Sequence, residues 1–137
     1  MARAYSRGLG ARLATVDKRR ISGEKTEIGF IIGDVAGMNA ILADDVIATG
    51  GSITEAARLV LDKGAKSVIL ACTHPVLCGP AVERLLASPA QEFAFVDTIP
   101  VDGKISSDRV SVLSCAAAFG NAIRQIHKSA SIGRNSL

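Results

Sequence analysis

The stretch Ala40-Ile41-Leu42-Ala43-Asp44-Asp45-Val46-Ile47-Ala48-Thr49-Gly50-Gly51-Ser52 carries the strongest structural signal in this chain. It begins with an apolar run that is typical of a strand buried in a parallel sheet. Two adjacent carboxylates follow, and a turn of small and hydroxyl residues then leads into a helical pattern. This order predicts a buried strand that ends in a tight turn at the start of a helix, where open α/β sheets place their ligands.

Backbone N–H groups in that turn form the candidate binding site. Those of residues 49–52 can point at a phosphate, because glycine permits a close approach and a helix N-terminus is unsatisfied and partly positive. Asp44 and Asp45 would repel a phosphate, so we expect them to bind neighbouring sugar hydroxyls or a hydrated divalent cation. A ligand with a phosphate at one end and a diol beyond it fits, and ribose 5-phosphate is such a ligand. The alternative is a plain strand–turn–helix corner with exposed acids.

Outward from this corner, apolar runs alternate with helical periodicity along the chain. The predicted strands cover residues 11–16, 28–32, 40–43, 67–71, 93–96 and 110–113. The predicted helices cover residues 53–63, 80–87 and 114–127, and the chain starts with the end of a helix closed by Gly8 or Gly10. This alternation predicts a single α/β domain over residues 1–137, with a three-layer, doubly wound, mainly parallel sheet.

Finer details follow from single residues. Ser52 is the expected N-cap of the helix over residues 53–63, because Glu55 three residues later completes a capping box. Gly64 is expected to end that helix. Residues 17–27 are polar and predict a mobile loop, and residues 128–137 predict a flexible tail. In the helix over residues 114–127, the expected buried positions include Ala117, Ile123 and Ile126.

Composition excludes several classes of protein. The net charge of +3 is concentrated near the start, where residues 1–25 hold seven basic and two acidic side chains. No nucleic-acid motif accompanies this cluster, and aromatic residues make up only 4% of the chain, so we expect neither nucleic-acid binding nor base stacking. No apolar run reaches the roughly 20 residues that a membrane span needs. We therefore expect a cytoplasmic protein without membrane contact.

The cysteines are expected to be reduced thiols. Cys72, Cys78 and Cys115 cannot all pair within the chain, and no secretory signal precedes them. Cys72, His74 and Cys78 do not have the spacing of a common zinc site, so no metal ligand is assigned to them. His74 follows a strand, and we interpret it as a structural hydrogen-bonding residue.

Five segments give the chain a family resemblance. The Asp44-to-Ser52 pattern resembles the phosphoribosyl diphosphate signature of type I phosphoribosyltransferase folds. Together with it, four further segments resemble ribose-phosphate diphosphokinase (phosphoribosyl diphosphate synthetase), and the likeness runs from Ala2 to about Ser131. These segments are Val16-Asp17-Lys18-Arg19-Arg20, Ile32-Gly33-Asp34-Val35-Ala36-Gly37, Ala71-Cys72-Thr73-His74-Pro75-Val76-Leu77 and Val96-Asp97-Thr98-Ile99-Pro100.

The resemblance implies specific roles for residues. Lys18 would be the catalytic lysine that stabilises charge on the transferred diphosphoryl group, and Arg20 its partner toward phosphate. Asp44 would accept hydrogen bonds from ribose hydroxyls, and Asp45 would do the same or hold Mg²⁺ through water. The 5′-phosphate cradle would be formed by Ala48, Thr49, Gly50, Gly51 and Ser52. Family members usually carry an acid where this chain has Ala48.

The resemblance also implies an incomplete enzyme. It covers the second of two similar α/β domains, so the N-terminal domain that binds adenine would be absent. We therefore expect the chain to bind ribose 5-phosphate or phosphoribosyl diphosphate. We expect ATP binding and Mg²⁺-dependent catalysis only with a partner domain. We also expect the chain to form a homo-oligomer or to bind a partner subunit. Two alternatives remain open: a phosphoribosyltransferase, which would need a segment contacting the base, and a non-catalytic regulatory homologue of the synthetase, which the Ala48 substitution favours.

Overall fold

A computed structural model describes residues 2–22 and 25–132, without the side chains of residues 18–22 and 25–28. The elements, in chain order, are α1 (Ala2–Leu9), β1 (Thr15–Ser22), β2 (Lys25–Ile32), β3 (Asn39–Ile47), α2 (Gly51–Asp62), β4 (Ser67–Pro75), α3 (Ala81–Leu86), β5 (Glu92–Val96), β6 (Val110–Leu113) and α4 (Ala116–His127). The α/β alternation predicted from the sequence is confirmed. Residues 133–137 of the expected flexible tail lie outside the described part.

The central sheet is parallel and has the strand order β3-β4-β5-β6. Its core face carries Leu70 on β4 with Phe93 and Phe95 on β5, all fully buried. Against this face pack α2, which contributes Val60, and α3, which contributes Leu85. Because β3 and β4 are parallel neighbours, the loops that follow them leave the sheet at the same edge.

The opposite face of the sheet is less covered. Side chains alternate along a strand, so Ile41 on β3 and Ile69 on β4 lie on the face away from α2, and Ile41 is 53% exposed. Between this region and α1 lies a cleft of about 550 Å³, lined in part by Tyr5 and Leu9 of α1. On this side of the sheet α1 therefore lies across an apolar cleft.

The segment over residues 17–27, expected to be a mobile loop, is extended where the structure describes it. β1 pairs antiparallel with β2, from Thr15 opposite Ile32 to Ser22 opposite Lys25. The prediction of a loop was wrong for residues 17–22 and 25–27, because their backbones pair in an antiparallel ladder that their polar composition does not reveal. Residues 23 and 24 of the expected loop lie outside the described part.

Helix α4 also differs from expectation. Ala117, Ile123 and Ile126 were expected to be buried, but each is exposed, and α4 contains no buried residue within the described part of the chain. Its apolar positions Phe119, Ile123 and Ile126 are more than 60% exposed and share one face at helical spacing. The periodicity identified the apolar face correctly, but no element described here packs against it.

Candidate functional site

The predicted turn lies between β3 and α2, and glycine sets its conformation. Gly50 has φ +76° and is the N-cap residue of α2, which begins at Gly51. A left-handed backbone is accessible to glycine without strain. The predicted capping box at Ser52 was therefore wrong: Ser52 lies inside the first turn of α2, and no side chain caps the helix. Instead the Thr54 hydroxyl bonds the carbonyls of Gly50 and Gly51 at 2.9 and 3.0 Å.

Three successive carbonyls of the turn are held from one side. The backbone N–H groups of Leu77 and Cys78 donate to the carbonyls of Ile47 and Ala48 at 3.1 and 2.9 Å. The guanidinium of Arg84 donates from Nη1 to the carbonyl of Thr49 at 3.1 Å. In a trans peptide the C=O and the following N–H point in opposite directions. The N–H groups of residues 48–50 therefore point away from the 77–84 segment.

A cavity of about 170 Å³ lies at this turn. Its lining comes from Asp44 and from consecutive residues 46–53, with no contribution from the 77–84 segment. The N–H groups of residues 49–52 donate to no other group in residues 2–22 and 25–132. Orphan donors beside a small cavity at a helix N-terminus form an arrangement suited to an anion the size of phosphate.

The two acids of the signature occupy different places. Both lie inside β3, which continues to Ile47, and do not follow the strand as the sequence suggested. Asp44 lines the cavity, whereas Asp45 is exposed and does not contribute to its lining. Alternation along the strand accounts for the difference. The structure thus brings Asp44 and the Ala48-to-Ser52 turn together.

Lys18 and Arg20 lie in β1, where Lys18 is opposite Ile28 and Arg20 is opposite Thr26. Their side chains are outside the described part of the structure, so their catalytic roles remain predictions. Asp17 next to them is partly buried.

His74 is held by a threonine at the end of β4. Its Nδ1 lies 2.9 Å from the hydroxyl oxygen of Thr98, and that hydroxyl donates its proton to the carbonyl of Thr73. A hydroxyl has one proton to give, so Nδ1 must carry the proton in this pair. His74 is therefore a hydrogen-bonding residue between β4 and the loop after β5, as interpreted from the sequence.

The cysteines lie in different surroundings. Cys72 is buried, and burial raises the pKa of its thiol, while Cys78 is exposed. In the ranges 2–22 and 25–132, no cluster of three or more His, Cys, Asp or Glu side chains is suited to a metal ion. In the same ranges, none of the helices has the length and apolarity that a membrane crossing requires.

Sequence reasoning missed the residues that hold the turn. Leu77, Cys78 and Arg84 lie roughly 30 positions from the carbonyls that they bind. Arg84 is exposed and has the pattern of an ordinary solvent-facing helix residue. Only the parallel pairing of β3 with β4 brings this segment beside the turn, and that pairing cannot be read from local sequence.

Comparison with known proteins gives the family. The family model described as the phosphoribosyl synthetase-associated domain matches residues 13–135, and the chain belongs to that family. The resemblance inferred from the sequence motifs is therefore confirmed.

Curated relatives are close in sequence. A ribose-phosphate pyrophosphokinase of Clostridium acetobutylicum is 47% identical over 126 residues, which is 92% of this chain and 40% of the relative. One of Rhodopirellula baltica is 46% identical, over 93% of this chain and 41% of the relative. The chain thus spans about two fifths of the length of the curated relatives that it matches.

A solved structure matches the fold. The crystal structure of phosphoribosylpyrophosphate synthetase from Mycobacterium smegmatis superposes with a TM-score of 0.78 at 36% identity, covering 92% of this chain and 40% of that one. The type I phosphoribosyltransferase-like α/β fold predicted from the sequence is therefore confirmed.

Proposed function

We propose that the cavity at the start of α2 binds the 5-phosphate of ribose 5-phosphate or phosphoribosyl diphosphate. The observation that carries the proposal is the set of three successive carbonyls fixed from behind by Leu77, Cys78 and Arg84. Fixed carbonyls fix the amides, so the donors are arranged before the ligand arrives and little ordering cost is left for binding. A volume of about 170 Å³ is sufficient for a phosphate group.

The acids act on the sugar beyond the phosphate. Asp44 lines the cavity and accepts hydrogen bonds from the ribose hydroxyls. Asp45, on the other side of the strand, would hold a hydrated Mg²⁺. A magnesium ion usually takes one or two carboxylates, with waters and substrate phosphates as its other ligands. Asp45 would supply one such carboxylate, and the ion would neutralise charge on the substrate phosphates.

The reaction that we propose for the whole protein is transfer of a diphosphoryl group from ATP to the C1 oxygen of ribose 5-phosphate. The names of the relatives support this activity, and the chain supplies the sugar-phosphate side of it. Lys18 and Arg20 would stabilise charge on the transferred group, since phosphoryl transfer depends mainly on positioning and cationic stabilisation. We propose that ATP binding also involves parts of the synthetase beyond the two fifths of its length that this chain matches.

We also propose that the chain works as a homo-oligomer or with a partner subunit in the cytoplasm. Phe119, Ile123 and Ile126 present an exposed apolar face on α4, and such faces usually mark contact surfaces. The free state of Cys72, Cys78 and Cys115 suits a reducing compartment. Sedimentation equilibrium tests association: replacing Ile123 with Glu should shift the chain toward a monomer.

Calorimetric titration tests the binding proposal. The chain is titrated with ribose 5-phosphate, phosphoribosyl diphosphate and ATP, each with Mg²⁺, and with ribose as the control that lacks phosphate. We expect binding of the two phosphorylated sugars and none of ribose or ATP. Binding of a free purine or pyrimidine alongside phosphoribosyl diphosphate would favour the phosphoribosyltransferase. Failure of all the ligands to bind would overturn the cavity assignment and favour the regulatory homologue.

A further inference from the structure

The side chain of Arg84 runs along the back of the turn between β3 and α2. Its Nη1 donates to the carbonyl of Thr49 at 3.1 Å. A Cβ added to Gly51 would lie 3.4 Å from Nη1, and one added to Gly50 would lie 3.8 Å from the Cβ of Arg84. The Arg84 side chain therefore lies alongside both glycines, on the side opposite the cavity.

This contact sets the direction of one particular amide. The carbonyl of Thr49 and the N–H of Gly50 belong to the same trans peptide and point in opposite directions. By holding the carbonyl, Arg84 directs the Gly50 N–H toward the cavity. The two neighbouring peptides are held by the backbone N–H groups of Leu77 and Cys78. Of these three donors, only Arg84 donates from its side chain. It can be replaced without removing the other two anchors.

We propose that Arg84 is a positioning residue for a phosphate monoester in the cavity, acting through the Thr49–Gly50 peptide. The inference rests on the proposed phosphate site and adds a residue from α3 to it. Arg84 touches no ligand in this account. It keeps the Gly50 N–H oriented before binding, and its positive charge behind the peptide strengthens the donor toward an anion.

The test compares Arg84→Met, which keeps length and helix propensity, with Arg84→Lys, which keeps the charge and a donor. Arg58→Met is the matched control, because Arg58 is an exposed arginine on α2. Each protein is titrated with inorganic phosphate and with ribose 5-phosphate, and thermal unfolding is recorded in parallel. Loss of one hydrogen bond from a charged donor typically weakens binding by about tenfold. We expect about tenfold weaker binding for Arg84→Met, partial recovery for Arg84→Lys and no change for Arg58→Met.

Amide NMR separates positioning from general stability. In the wild type, phosphate should shift the amide protons of Thr49 and Gly50 downfield. In Arg84→Met the Gly50 shift should shrink, while the Thr49 shift persists because Cys78 still holds the carbonyl of Ala48. Equal affinity and an equal Gly50 shift in Arg84→Met and wild type would overturn the role of Arg84 and leave the phosphate site standing. Absence of phosphate binding by the wild type would overturn both.

Discussion

The backbone N–H of Cys78 donates to the carbonyl of Ala48 at 2.9 Å, which ties the loop after β4 to the turn after β3. Both loops leave the parallel sheet at the same edge, so one can support the other from behind. Support of this kind gives the turn a fixed set of outward amides in the absence of ligand. A preformed site needs little rearrangement on binding. Mutations in the turn can test whether the site is preformed.

Replacement of Gly50 by Ala should destabilise the protein and weaken sugar-phosphate binding. Gly50 has φ +76°, and a Cβ there would lie 3.3 Å from the carbonyl oxygen of Ala81. A left-handed backbone costs a non-glycine residue about 1–2 kcal/mol, and the close contact adds to that cost. Urea unfolding measures the change. The control is Gly51→Ala, where the added Cβ meets only ordinary contacts and stability should change by less than about 1 kcal/mol. Equal losses for the two variants would contradict the assigned turn geometry.

The adjacent acids should give separable effects. Asp44→Asn should lower the affinity for ribose 5-phosphate about tenfold or more with and without Mg²⁺, because hydrogen bonds to a carboxylate in the cavity lining are lost. Asp45→Asn should reduce only the part of the affinity that depends on Mg²⁺. Calorimetry at several Mg²⁺ concentrations distinguishes the two. A larger Mg²⁺-independent loss for Asp45→Asn would mean that the roles are reversed.

Arg109 should matter for stability and not for binding. Its guanidinium donates to the carbonyls of Ala90 and Leu86 at 2.9 and 2.6 Å and lies 5.1 Å from the ring centre of Phe93. Loss of two charged hydrogen bonds and a cation–π contact should cost Arg109→Met about 2–3 kcal/mol of unfolding free energy. Arg124→Met, at an exposed position on α4, is the control and should cost little. An unfolding midpoint of Arg109→Met equal to that of the control would refute this assignment.

The Asp97 carboxylate should make stability depend on pH in the acid range. The Cys115 backbone N–H donates to it at 2.8 Å, and the side chains of Cys115 and Ser114 together with this N–H lower its pKa from 3.8 to about 2. Because the folded pKa lies below the ordinary value, the stabilisation is complete above about pH 4 and is lost as pH falls toward 2. Carbonyl NMR of Asp97 should show a midpoint near 2. Asp97→Asn should remove this part of the acid dependence of unfolding.

The same contact should protect a cysteine. The Asp97 carboxylate, which the Cys115 backbone N–H contacts at 2.8 Å, raises the pKa of the Cys115 thiol. In Asp97→Asn the carboxylate that disfavours the thiolate is gone, so alkylation of Cys115 at about pH 8.5 should be faster than in the wild type. Mass spectrometry of the labelled protein gives the rate for each cysteine. An unchanged rate at Cys115 would show that the carboxylate does not hold the thiol.

The local chemistry of the site could be predicted from the sequence, because it depends on consecutive residues. The apolar run at Ala40, the acids and the Gly50-Gly51 pair all lie within one segment, and the structure places Asp44 and the turn around one cavity. The helix end at Gly64 was also predictable: its φ is +91°, and its N–H bonds the carbonyl of Leu61.

The rest depends on contacts between distant segments. Helix α2 begins at Gly51 because Gly50 has a left-handed backbone and serves as the N-cap residue. A glycine N-cap is harder to predict from local sequence than a serine N-cap. The exposure of Ile123 and Ile126 depends on which elements pack against α4, and helical periodicity does not determine that. Arg84 could not be connected to Thr49 without the sheet order.

The most direct measurement is a crystal structure of the chain soaked with ribose 5-phosphate. We expect phosphate oxygens within about 3 Å of the backbone nitrogens of residues 49–52, a usual hydrogen-bond length, with the ribose hydroxyls against Asp44. A sugar phosphate bound elsewhere, or those amides engaged with other protein groups, would contradict it.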